Sequence, residues 1–204
     1  MAVLVRAIFF ALIVAVVGGL GYPRICIPDT IPLIKGFRNL DVTKLTGIWY
    51  SFLWRRNPQV PDDRVLSEYT AYVTAGKDGA LSFFIRALPK DGQKCTDINE
   101  ASSLVPTGNP GDFSFGPSES NNHFKIIDTD YTNYLLVLRC YGEDKQGRCQ
   151  RDAIQLWSRR VGLDPIYVYS GMKTIAQRLC KTFEGFRFSV HKLACNLREQ
   201  VTKK

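Results

Sequence analysis

Among 204 residues, the side chains able to do chemistry are few: Cys26, Cys95, Cys140, Cys149, Cys180 and Cys195, beside His123 and His191. Two imidazoles give little material for zinc, which asks for four well-spaced Cys or His ligands in a structural site. The six thiols could be nucleophiles or crosslinks, and the compartment decides which. His123 precedes a strand-like run and His191 lies near the C-terminus. No Cys–His, Ser–His–acid or metal-ligand constellation emerges around either. These residues therefore read as non-catalytic and metal-free.

The N-terminus supplies the compartment. One basic residue, Arg6, is followed by an apolar run at 7–17 and then by Gly18-Gly19-Leu20-Gly21. That is the layout of a secretory signal peptide, 1–21, with Gly19 and Gly21 in the small subsites of the peptidase. The run is shorter than the roughly 20 residues of a spanning helix, so no stable membrane insertion is expected. A secreted chain meets an oxidising environment. Its six Cys then read as three disulfides, with fifteen pairings open. The formal net charge of +8 (27 Lys+Arg, 19 Asp+Glu) reads as a solvated surface. No nucleic-acid module motif is present, and nucleic acid is not an expected partner.

The elements that must hold these residues follow from punctuation and period. A Pro-rich arm, 22–45, carries Cys26. Strand-like runs then recur about every ten residues between tight turns such as Gly76-Lys77-Asp78-Gly79. They lie near 47–55, 66–74, 81–88, 94–105, 113–115, 124–129, 134–141 and 153–159. Afterwards the period lengthens: Ile166, Val168, Met172, Ile175, Leu179 and Phe183 recur at helical spacing. Asp164 is the expected N-cap, Pro165 the first helical residue and Gly185 the stop, giving a helix over 164–184. The tail, 185–204, holds Cys195. The expected fold is all-β: an eight-stranded antiparallel up-and-down barrel over 46–160, with one C-terminal α-helix packed outside, in a single domain.

Three local motifs then fall at telling places. Gly47-Ile48-Trp49 opens the first strand, Thr129-Asp130-Tyr131 lies between the sixth and seventh, and Arg159 ends the eighth. In this order and spacing the chain resembles the lipocalin family over essentially all of its mature length. The Thr-Asp-Tyr-Thr-Asn-Tyr form at 129–134 is most similar to the branch holding apolipoprotein D, insect bilin-binding proteins and crustacyanin subunits. The resemblance implies that Trp49 plugs the closed end of the barrel and that Arg159 lies across its indole. It also implies the disulfides Cys26–Cys140 and Cys95–Cys195. Cys149 and Cys180 are then expected to staple the returning helix to the start of the eighth strand.

Strand alternation, with the phase chosen by resemblance, points Ser51, Leu53, Arg55, Tyr69, Ala71, Phe83, Ile85, Leu135, Val137, Gln155 and Trp157 into the cavity. Arg55, Arg56 and Arg139 stand where a ligand carboxylate could be met at the rim. Such a lining suits a small hydrophobic molecule with one polar end: a bilin, carotenoid, retinoid, steroid or fatty acid. The relatives sharpen this to a non-covalent bilin or carotenoid chromophore, with no cofactor required and with homo- or hetero-oligomers allowed. The expected function is a secreted, non-catalytic binding or transport protein. Two alternatives stay open at this point: a lipocalin-type enzyme acting on a lipid, and an interaction or defence protein working through its surface.

Overall fold

The structure, a computed structural model, describes residues 35–56, 66–89, 94–98, 103–116, 121–145, 147–182, 184–189, 191 and 195. The expected signal peptide, the arm as far as residue 34 with Cys26, and most of the tail lie outside the described residues. Runs rich in aromatic and β-branched residues form the strands, as their pleated-surface preference dictates. In chain order these are β1 (Gly47–Arg56), β2 (Leu66–Ala75), β3 (Leu81–Pro89), β4 (Thr96–Ile98), β5 (Val105–Pro106), β6 (Asp112–Ser114), β7 (His123–Thr129), β8 (Tyr134–Glu143), β9 (Cys149–Ser158) and β10 (Arg187–Phe188). A 3-10 turn, Val42–Leu45, precedes β1, and one helix, α1 (Pro165–Leu179), follows β9.

All pairings are antiparallel, in the order β4-β3-β2-β1-β9-β8-β7-β6-β5, with β10 added to β1. The sheet curls round on itself. Residues 96–98 pair with β3, Leu104 bridges to Leu81 at the start of β3, and Val105 and Pro106 pair with β6. The same run of chain thus joins the two edges. The expected fourth strand is divided into β4 and β5, and β10 is an addition to the expected eight.

Alternation sorts the apolar side chains into two layers. Inside lie Trp49, Tyr69, Ala71, Val73, Leu81, Phe83, Ile85, Leu104, Phe113, Phe124, Ile126, Leu135, Val137 and Trp157. Outside, Leu53, Ile127, Leu136, Leu138, Ile154 and Leu156 meet Val168, Met172, Ile175 and Leu179 of α1. The helix begins as its residues dictate: Asp164 accepts the N–H of Ile166 at 3.0 Å, and Pro165 needs no N–H partner in the first turn. Gly171 lets the helix lie close, since a Cβ there would stand 2.9 Å from Leu156 Cδ1.

The helix ends earlier than expected. Cys180 takes the left-handed conformation (φ 52°, ψ 36°) and terminates it after Leu179, so Gly185 is not the stop. Gly185 instead turns the chain (φ +80°) into β10.

A second correction concerns β1. Ser51 pairs with Trp157 but Leu53 with Leu156, so one extra residue, Phe52, is accommodated in β1. This bulge inverts the side-chain phase beyond it. Leu53 therefore packs under the helix and not in the cavity. Arg55, opposite Ile154 and against Gly185, also leaves the cavity face.

Candidate functional site: a floored barrel with a polar-edged cavity

The closed end is built from two stretches of backbone, 44–48 and the turn at Tyr131, held by one side chain. Trp49 is fully buried, and its Nε1 donates to the Leu45 carbonyl of the 3-10 turn at 2.8 Å. The Arg159 guanidinium carbon lies 3.8 Å from the centroid of the Trp49 ring. Its Nη2 donates to Lys44 O at 2.8 Å, Nη1 to Thr46 O at 3.0 Å and Ile48 O at 3.4 Å, and Nε to Tyr131 O at 3.1 Å. Burial lowers the Arg159 pKa to about 10, partly opposed by Asp130, so the group stays cationic at neutral pH. Gly47 (φ +117°) is required here, because a Cβ would come 2.8 Å from Arg159 Nη1.

The β7–β8 turn supplies the rest of the floor. Asp130 accepts the N–H groups of Thr132 (3.1 Å), Asn133 (2.7 Å) and Tyr134 (3.0 Å). Tyr131, in the left-handed region at φ 66°, donates its hydroxyl to Asn39 O and accepts from Asp41 N–H. Partial burial acts to raise the Asp130 pKa, but the N–H bonds from Tyr134, Asn133 and Thr132 outweigh it and hold the carboxyl below its ordinary value. Its stabilisation is therefore fully present above the unfolded carboxylate range, near pH 4, and is lost as pH falls through the depressed value. Replacing Asp130 with Ala is expected to cost about 1–2 kcal/mol at neutral pH, comparable to losing a helix cap. The deficit should close in urea titrations repeated towards pH 2; an equal deficit at both pH values would refute the carboxylate's role.

Above the floor, aromatic rings frame an open space. Phe83 lies 5.2 Å from Phe124 and 5.6 Å from Trp157 between centroids, and Tyr69 lies 5.8 Å from Trp157. A cavity of about 240 Å³ is lined by Phe83, Ile85, Leu104, Phe115, Gly116, Phe124, Arg139 and Tyr141. Arg139 Nη2 donates to the Tyr69 hydroxyl at 2.7 Å, and its guanidinium lies within 6 Å of both the Tyr69 and Phe124 rings. Three inward polar atoms, Ser51 Oγ, Gln155 Oε1 and Trp157 Nε1, are buried without a hydrogen-bond partner among the described residues. Buried polar atoms of this kind are usually paired.

The structure brings Ser51, Tyr69, Ala71, Phe83, Ile85, Leu135, Val137 and Trp157 to the barrel interior, and Gln155, in register with Val137, shares their face. It leaves Leu53 and Arg55 outside. Sequence reading missed Leu104, Phe115, Phe124 and Tyr141 as cavity walls. Tyr141 follows Arg139 by two residues and Phe124 pairs with Arg139, so strand alternation could have found both.

The histidines serve structure. His123 Nδ1 lies 2.9 Å from Asp112, which shares an ion cluster with buried Lys125 and Glu143. His191 Nε2 donates to Ser51 O at 2.7 Å and its ring meets Tyr50 edge-on.

Cys95–Cys195 is formed, with Cα atoms 5.5 Å apart. Cys140 bridges to Cys149, with a Cα separation of 5.2 Å. This overturns both Cys26–Cys140 and Cys149–Cys180. Cys140 and Cys149 flank the β8–β9 turn only nine residues apart, where closing the loop costs little chain entropy. Cys180 is also disulfide-bonded. The Glu143 carboxylate lies close to Cys140 and Cys149, yet sulfurs joined in a disulfide offer no thiolate to a metal.

No family model matches the chain. It is similar to "Allergen Fel d 4" of Felis catus, 24% identical over 120 residues. The match takes in 58% of this chain and 60% of that protein's length. The curled antiparallel sheet with one trailing helix, the indole floor clamped by an arginine, and this similarity together fit the lipocalin family.

Proposed function

We propose that this protein is a secreted carrier that holds a small hydrophobic molecule in the barrel and performs no catalysis on it. The observation that carries the reading is the aromatic-walled cavity of about 240 Å³ edged by a few polar atoms, the usual composition of a small-molecule site. Formed disulfides suit an oxidising compartment, and the signal-peptide layout of residues 1–21 supports secretion. Among the described residues no Cys is free, and the ring nitrogens His123 Nδ1 and His191 Nε2 face structural partners, which supports binding over nucleophilic chemistry. The modest cavity favours a compact ligand over a tetrapyrrole or carotenoid. The motif form at 129–134 is what speaks for the bilin-binding branch.

The test is titration with the neutral, apolar dye N-phenyl-1-naphthylamine, together with the absorption spectrum and native mass of protein purified from its source. Saturable enhancement of dye fluorescence at one site per chain, with a bound small-molecule mass and no visible band, is the expected result. A visible band would replace the compact ligand with a pigment. Absence of both dye binding and bound mass would refute the carrier reading.

A further inference from the structure

We propose that four aromatic rings, those of Tyr69, Phe83, Phe124 and Trp157, form a shelf across the barrel that gauges ligand length: a short apolar segment fits above the shelf, and anything longer projects from the mouth. The inference rests on the carrier reading and names the specificity-determining residues of that same site.

In the strand order, β2, β1, β9 and β8 stand between β3 and β7 on one side, and the short β4, β5 and β6 on the other. Rings from β3 and β7 nevertheless meet: the Phe83 and Phe124 centroids lie 5.2 Å apart. Such a contact crosses the interior. Trp157 of β9 joins it, 5.6 Å from Phe83 and 6.5 Å from Phe124. Tyr69 of β2 lies 5.8 Å from Trp157, past the intervening β1. Tilted and edge-on pairs at these distances are favourable beyond the area they bury. All four side chains are buried, so the lumen is filled at this height. The height follows from β9. Arg159, two residues after Trp157, lies over the Trp49 ring. Two strand residues span about 7 Å, which places Trp157 one layer above the floor. The cavity lies on the far side of that layer. Phe83 and Phe124 line it, Trp157 and Tyr69 do not, and its wall includes Tyr141, towards the end of β8 away from the floor.

A ligand entering from the mouth therefore meets Phe83 and Phe124 before the floor. An apolar cavity of roughly 150 Å³ holds one benzene. In proportion, the cavity of about 240 Å³ takes about ten non-hydrogen atoms. Within that limit each added methylene leaves water and strengthens binding about fourfold. Past it, further methylenes stay at the mouth and gain little. Rings packed at the density of a protein interior do not open for an extra methylene without strain. Lengthening the cavity therefore requires removing a ring. Phe83 is the one to remove, because it lines the cavity and touches both Phe124 and Trp157.

The experiment displaces N-phenyl-1-naphthylamine with the unbranched primary alcohols from hexanol to dodecanol, which share a head group and differ in length. In the unchanged protein, affinity should rise about fourfold per carbon as far as nonanol, then by less than about 1.5-fold per carbon. In Phe83→Ala the steep rise should continue about two carbons further, into the space the ring leaves. Phe83→Leu keeps most of the core filled and should move the break by about one carbon, so the test stands even where Phe83→Ala does not fold. A loss of stability alone weakens all the alcohols together, whereas the position of the break reads the shelf. An unbroken rise to dodecanol in the unchanged protein would overturn the inference while leaving the carrier reading intact. So would a break that stays at the same carbon in the folded Phe83 variants. If the dye itself fails to bind, the carrier reading falls and this inference falls with it.

Discussion

Replacing Arg159 with Ala is expected to destabilise the protein by about 3–4 kcal/mol, a large effect for a residue at the end of a strand. Three effects combine. The guanidinium–indole contact at 3.8 Å is desolvated and contributes up to roughly 2 kcal/mol. The carbonyls of Lys44, Thr46, Ile48 and Tyr131 lose a donor at once. Each costs about 1 kcal/mol or more if it stays dry. Water entering at the rim of the floor offsets part of this, so the sum falls short of simple addition. In a domain of this size the loss corresponds to a fall of roughly 6–16 °C in melting temperature. Because Trp49 is fully buried beneath the arginine, its emission should also shift to the red. A variant that loses under about 1 kcal/mol, with Trp49 emission unmoved, would show that the floor does not depend on this residue.

Much of this floor was legible in the sequence, for a physical reason. Gly47, Trp49, Asp130 and Arg159 act through backbone: the glycine through its φ, the aspartate through N–H groups, the arginine through carbonyls. Such roles tolerate few residue types and fix their spacing, so the motif survives as a pattern. The helix start was legible for the same reason, with Asp164 and Pro165 each doing what only a few residues can do.

The cavity was less legible because its outline depends on register. Ser51 and Leu53 differ by two positions and should share a face, yet the extra residue in β1 sends Leu53 to the helix and Arg55 outward. Nothing in Ser51-Phe52-Leu53 announces a bulge, since either face offers an apolar home. Arg139 illustrates the converse. Its regular strand kept the phase, and reading two residues on from Val137 places it correctly. Disulfides fare worst, because pairing reflects distances between elements that local patterns do not specify. Cys140 and Cys149 had a short loop between them, but their closeness depends on how the β8–β9 hairpin folds. The helix end at Cys180 is of the same kind: a left-handed non-glycine residue is held there by its surroundings and not by its propensity.

Removing the Cys95–Cys195 bridge by a paired Cys→Ala exchange should cost about 4–5 kcal/mol, nearly twice the cost of removing Cys140–Cys149. The two bridges close loops of very different length, with sequence separations of 100 and 9. On the chain-entropy relation these give roughly 4.7 and 2.6 kcal/mol at 25 °C. Position adds to the contrast. Beyond Tyr50, β1 leaves β2 and takes β10 as a partner, with Ser189 N–H donating to Phe52 O at 2.9 Å. Cys195 then fastens the tail beside β4, a short strand paired to β3. The bridge therefore ties Cys195, which follows β10 in the chain, to the residue that precedes β4, while Cys140–Cys149 reinforces a hairpin already joined by its own ladder. Urea denaturation of both paired variants should rank them in this order. A short-loop variant that loses as much stability as the long-loop one would refute this ranking of the two bridges.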